Sequence, residues 1–126
     1  MAKNPSMNQC KVGRNAEKAA AGYLRSRGYR IWKTNWRWGK RELDLVTLHR
    51  HELVIVEVKA RVGNSVNEPS AAVDHEKERN IILAADAFIR LHGCRLPTRF
   101  DVIAVIYSGS GMEIEHMENA FYPVAE

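Results

Sequence analysis

Three charged residues interrupt two apolar runs: Asp44 within Leu43–Leu48, and Glu57 and Lys59 within and just after Leu53–Val58. A charge in a strand that should be buried costs free energy unless it has a partner or a metal. The polar step Arg50-His51 marks a turn centre. A hairpin with a two- or four-residue loop there pairs residues whose numbers sum to 101. Asp44 then lies opposite Glu57, with Cβ atoms roughly 4.5–5.5 Å apart. Glu57 and Lys59, two residues apart, share a face, so all three charges converge on one patch. Two carboxylates that close repel each other, and a hard divalent cation relieves the repulsion. Mg²⁺ typically takes one or two carboxylates and keeps several waters. A lysine beside them can hold or deprotonate a water, or stabilise negative charge growing on a phosphoryl group.

The elements that must position this patch follow from periodicity. A helix is expected from about Asn15 to Arg27, with Ala16, Ala19, Ala20, Tyr23 and Leu24 as its buried stripe and Gly28 after its end. Glu17 flanks that stripe, and Arg14, Lys18, Arg25 and Arg27 lie largely off it. Met1–Val12 reads as a flexible tail and residues 13–126 as one domain. Strands are expected over Tyr29–Asn35, Glu42–Leu48, Leu53–Arg61, Arg99–Tyr107 and Met112–Met117. Leu43, Leu45, Val54, Val56 and Val58 are assigned to one face of the hairpin; Val46, Leu48, Leu53 and Ile55 are assigned to the other. Two apolar faces require helices on both sides. Gly63–Pro69 reads as a loop beside the charged end. A long helix runs from Asp74, as N-cap, to His92, with Lys77, Ile81, Ala84, Ala85, Phe88 and Leu91 on one stripe and Gly93 as its stop. The parallel pair falls between the third and fourth strands, across this helix. Asp101 is expected to be structural, paired with Arg99 or with a helix terminus, rather than a metal ligand.

Charge is distributed unevenly. Residues 1–41 hold 11 Lys/Arg and one acid, net +10; residues 42–126 hold 8 and 14, net −6. Such asymmetry points to a polyanion on one face, or to a solvated basic surface. Lys33, Arg37, Lys40 and Arg41 alternate with Trp32, Trp36 and Trp38, a composition that suits phosphates and bases, although tryptophans in a sheet more often pack in the core. No apolar run approaches the ~20 residues of a membrane helix. Two cysteines and no apolar leader indicate a reduced, cytoplasmic setting. There is no zinc spacing among the histidines, no GxGxxG and no Walker loop.

Asp44 followed by Glu57-Val58-Lys59 resembles the D…ExK core of the restriction-endonuclease-like, PD-(D/E)XK nucleases. More of the chain resembles the YraN-like family of predicted endonucleases, which are similar to archaeal Holliday junction resolvases. Glu17, Gly28-Tyr29, Asn35, Glu42-Leu43-Asp44-Leu45, Val56-Glu57-Val58-Lys59, Pro69, Ala72-Val73, Lys77, Arg99-Phe100-Asp101-Val102 and Asn119-Ala120-Phe121 carry the resemblance over residues 13–122. The resemblance implies an α/β, restriction-endonuclease-like fold: a mixed five-stranded sheet flanked by helices, in the order α-β-β-β-α-β-β. It implies a Mg²⁺- or Mn²⁺-dependent endonuclease acting on DNA, with branched DNA a candidate substrate. Asp44, Glu57 and the Val58 carbonyl would hold the metal, Lys59 would act on the water, and Glu17 would assist. Arg14, Lys18, Arg25, Arg27, Lys33, Arg37, Lys40, Arg41 and Lys77 would bind the nucleic acid. Arg41 stands where the family usually has glycine. A junction resolvase cuts two symmetric strands, which makes a homodimer an alternative to a monomer. The competing readings are a catalytically silent nucleic-acid-binding module and an interaction protein with solvated charges.

Overall fold

The computed structural model describes residues 5–62 and 74–123, with side chains from Asn15 onward. The Gly63–Pro69 loop, together with Ala72-Val73, lies outside the described residues. Elements follow in the order α1 Pro5–Ser26, β1 Arg30–Trp38, β2 Arg41–His49, β3 Glu52–Val62, α2 His75–His92, β4 Thr98–Ser108 and β5 Gly111–Phe121. The sheet order is β1-β2-β3-β4-β5, antiparallel except for the parallel β3–β4 pair that α2 connects. This is the expected mixed five-stranded α/β fold. Helix α1 starts ten residues before the expected Asn15, so the backbone of residues 5–12, expected as tail, is helical. Pro5 suits a first helical position, where its missing N–H costs nothing; the apolar stripe that marks a buried helix simply does not extend that far back.

The hairpin register is the derived one. Leu45↔Val56, Val46↔Ile55, Thr47↔Val54, Leu48↔Leu53 and His49↔Glu52 all sum to 101. Arg50 (φ 48°) and His51 (φ 66°) both adopt left-handed backbone, as a tight two-residue turn of matching twist requires. Helix α1 packs Ala16, Ala20, Ala21 and Leu24 against Leu45, Val54, Val56, Ile103 and Val105. Helix α2 packs Ile81, Ala84, Ala85 and Phe88 on the opposite face, against Leu43, Val46, Leu53, Ile55 and Val102. Leu43 therefore lies on the face opposite Leu45, contrary to simple alternation. In α2, Asp74 caps the start by accepting from the Lys77 amide at 2.8 Å, and Gly93 closes the end in left-handed backbone (φ 62°). Leu91 is 69 % exposed rather than on the buried stripe; the His92 ring stacks on Phe88 at 3.9 Å and occupies that end of it. Trp32 and Trp36 pack edge-on against Phe88, so both belong to the core. Among the described residues, no helix is long and apolar enough to cross a membrane, which says nothing of β-barrels.

At the end of the sheet where β4 begins, Asp101 is fully buried and receives four hydrogen bonds. Arg99 donates twice (2.9 and 2.8 Å), His116 Nε2 once (2.7 Å) and the Asn119 amide once (3.1 Å). Burial alone would raise its pKa, but the bonds from His116, Arg99 and Asn119 hold it below the usual carboxylate range. Asp101 is thus structural, as expected, tying β4 to β5. Asp101→Asn removes the buried counter-charge of the Arg99 guanidinium and should cost about 3–5 kcal/mol. Urea unfolding at neutral pH measures this; a loss below about 1 kcal/mol, the worth of an ordinary hydrogen bond, would show that Arg99 finds compensation in Glu52, which it meets at 3.1 Å.

Candidate functional site

Asp44 sits where the hairpin ladder stops. The pairing ends at Leu45↔Val56, and one step further the Val58 N–H donates to Asp44 Oδ2 at 2.9 Å. A side chain thus takes the place of a backbone partner, a local irregularity akin to a bulge. Its consequence is visible in the packing: Leu43 and Leu45 fall on opposite faces, so Asp44 sits between the two layers at the sheet's end. Across from it on β1, Asn35 adopts left-handed backbone (φ 48°), which asparagine tolerates better than most residues.

Three carboxylates meet at this end, and Glu57 is not one of them. Oxygens of Glu17, Glu42 and Asp44 lie within 4.8 Å of one another. Glu57 lies beside Asp44, whose negative charge acts on it. Glu57 is only 7 % exposed. Burial, then the hydrogen bond and negative charge of Asp44, push its pKa up to about 9 against the opposing pull of Lys77 and Lys59. Glu17 is also raised, by burial and by the charges of Asp44 and Glu42, with a hydrogen bond from Asn35 working the other way. A crowded acidic cluster favours a proton or a cation that lowers its charge. The donors are all hard oxygens, the set that Mg²⁺ or Mn²⁺ prefers.

Lys77 reaches from the first turn of α2 to Glu57, Nζ to Oε2 3.7 Å, rather than folding back on Glu78 or Asp74. Lys59 lies two residues past Glu57 on β3, close enough for its charge to favour the ionised carboxylate. Glu42 carries part of the family resemblance, but sequence reasoning assigns it no role in the site. Regular alternation puts it on the same face as Asp44, the signal by which it could have been found.

The basic residues divide into groups. Lys18 and Arg25 line an open groove of about 300 Å³ between α1 and the β1–β2 pair, together with Glu17, Ala21, Thr34, Asn35 and Leu45. Arg27 lies over the Tyr23 ring, 5.1 Å from its centroid. Arg37 pairs with Glu42 at 3.5 Å, and Lys33 and Lys40 are exposed. Arg41 is held sideways: its Nε donates to Asn80 Oδ1 at 3.2 Å and its guanidinium lies 5.8 Å from the Trp38 ring centroid. The side chain of Arg14 lies outside the described set.

The model of the family described as Uncharacterised protein family UPF0102 matches residues 16–105. The chain belongs to the UPF0102 family. A UPF0102 protein of Parabacteroides distasonis is 42 % identical over 111 residues, 88 % of this chain and 92 % of its own. One of Porphyromonas gingivalis is 47 % identical over 111 residues, 86 % and 82 % of the two chains. One of Chlorobium chlorochromatii is 40 % identical over 125 residues, 94 % and 97 %. The match to the UPF0102 model spans Glu17, Glu42, Asp44, Glu57, Lys59 and Lys77, so the whole carboxylate cluster falls within it.

Proposed function

We propose that this UPF0102 chain is a metal-dependent endonuclease that hydrolyses phosphodiester bonds in DNA, branched DNA among its candidate substrates. The observation that carries the reading is the convergence of Glu17, Glu42 and Asp44 at one end of the sheet, with Glu57, Lys59 and Lys77 beside them. Asp44, Glu57 and the Val58 carbonyl would hold Mg²⁺ or Mn²⁺. Such an ion, when bound, polarises a phosphoryl oxygen and makes a bound water more acidic. The hydrolysis forms a bond from water oxygen to phosphorus and breaks one from phosphorus to a sugar oxygen, which leaves with a proton. Lys59 holds the attacking water or the charge that grows on the phosphoryl oxygens. Glu17, beside Asp44, would assist with the water as a proton acceptor. Lys77 balances Glu57 and reaches toward the substrate phosphate. A resolvase-like cut in two symmetric strands would take two sites, which a two-fold dimer supplies.

The surface before Glu42 would hold the DNA backbone, an affinity that depends on salt and reads no sequence. Where Arg25→Ala, Arg27→Ala or Arg37→Ala removes a true phosphate contact, the log–log salt slope of binding should fall by about 0.9. Unchanged slopes in all three would move the binding surface elsewhere. The decisive assay for the activity is a panel of labelled DNA structures with Mg²⁺ and Mn²⁺. Cleavage that Asp44→Asn abolishes supports the reading. No cleavage, with DNA bound, favours the silent binding module, for which the basic half is the supporting observation.

A further inference from the structure

The groove beside the cluster bears on which DNA is cut. It shares Glu17 with the carboxylates, and its residues run from there along α1 through Lys18 and Ala21 to Arg25. Its floor is apolar, Ala21 and Leu45, both less than a tenth exposed. Its β1 wall is polar, Thr34 and Asn35, and Asn35 hydrogen-bonds Glu17. Lys18 and Arg25 are exposed at seven-residue spacing, so they lie on one side of α1 about 10 Å apart along its axis. At about 300 Å³ the groove is at the small end of ligand pockets. A stacked duplex does not fit: its own major groove, about 12 Å wide, takes in an entire helix. An unstacked nucleotide does fit, with its base on the apolar floor, polar atoms toward Thr34 and Asn35, and flanking phosphates on Lys18 and Arg25.

We propose that this groove receives an unpaired nucleotide immediately next to the scissile phosphate, so that the substrate class is DNA with an unpaired strand at the cut. The inference rests on the nuclease reading for the position of that phosphate, but its binding part is independent of hydrolysis. Asn35 joins the two: its side chain lies in the groove and positions Glu17.

The test is binding, measured with the full-length Asp44→Asn protein so that nothing is cut. The probes are a blunt duplex and the same duplex carrying an unpaired single-strand arm, with 2-aminopurine at the first unpaired position. The arm should strengthen binding on the order of tenfold, the size of one buried base contact, and the fluorophore should report transfer from water to an apolar surface. Thr34→Trp, at an exposed position, fills the groove and should remove the preference while leaving blunt-duplex affinity unchanged. Ala21→Phe, which fills it from the floor, is the second variant, checked for folding by its melting curve. Equal binding of the two probes, or a preference untouched by both variants, overturns the inference. Preference for the arm without wild-type cleavage of any substrate supports the groove and removes the hydrolytic reading. Binding of neither probe overturns both.

Discussion

Lys59→Ala should cut DNA about 10²–10³ more slowly than wild type, the usual cost of one electrostatic donor in an active site, while its affinities for metal and DNA stay nearly intact. The expectation follows from roles. In the proposed mechanism Asp44 and Glu57 are the ligands that take up the cation, so replacing either should abolish metal binding and cleavage together. Lys59 offers no oxygen. Its ammonium acts where charge grows during attack on phosphorus, and an interaction made only in the transition state lowers turnover without weakening ground-state binding. Its charge also favours the ionised form of Glu57, so the metal-free variant should melt slightly earlier at high pH and recover when metal is added. Single-turnover cleavage and metal-dependent melting, run side by side on wild type and Lys59→Ala, separate these effects. Wild-type rates in the variant would remove Lys59 from the mechanism. A melting shift with metal that disappears in the variant would make Lys59 part of the binding site rather than of the chemistry.

Much of this site was legible in the sequence because strand pairing is close to arithmetic. Two apolar runs around Arg50-His51 define one register, which holds from His49↔Glu52 to Leu45↔Val56 and, continued one step, sets Asp44 opposite Glu57. Lys77 was equally legible, as the polar end of an apolar helical stripe. The surprises come from bonds between side chains and backbone that no period encodes. The Val58 amide bonds the Asp44 carboxylate, the strand loses its regular alternation there, and Leu43 changes faces. The left-handed backbone of Asn35 inside β1 is another departure that no period encodes, and Asn35 stands in one wall of the groove. The tryptophans show a different limit. Alternation with cations suggested a nucleic-acid surface, but β1 presents Trp32 and Trp36 to Phe88 and the cations elsewhere, so one strand carries packed tryptophans and exposed cations together.

Without metal, the protein should lose stability as pH rises from about 5 to 9, and saturating Mg²⁺ or Mn²⁺ should reverse that loss. Glu57 titrates near its ordinary 4.5 in the unfolded chain and near 9 in the folded one. Between those values the folded state holds a proton that the unfolded state has released. Stability rises with pH only where the unfolded state binds more protons, so here it falls. One group contributes at most about 1.4 kcal/mol per pH unit. Asp101, with its lowered pKa, acts in the opposite sense but only at acid pH, below the window. A cation held as proposed would displace the proton on Glu57, so metal affinity should increase with pH by up to about tenfold per unit in this range, one proton being released per ion. At a hundredfold excess over its dissociation constant the metal adds about 2.7 kcal/mol, enough to offset most of the loss near neutral pH. Glu57→Gln cannot ionise. Its stability should be nearly flat from pH 5 to 9, and its melting should respond little to metal. Melting curves at several pH values, with and without Mn²⁺, decide the matter. A flat profile in wild type would mean that Lys59 and Lys77 already compensate Glu57. A slope that survives in Glu57→Gln would assign it to another group, with Glu17, the other carboxylate raised by this cluster, the next to replace.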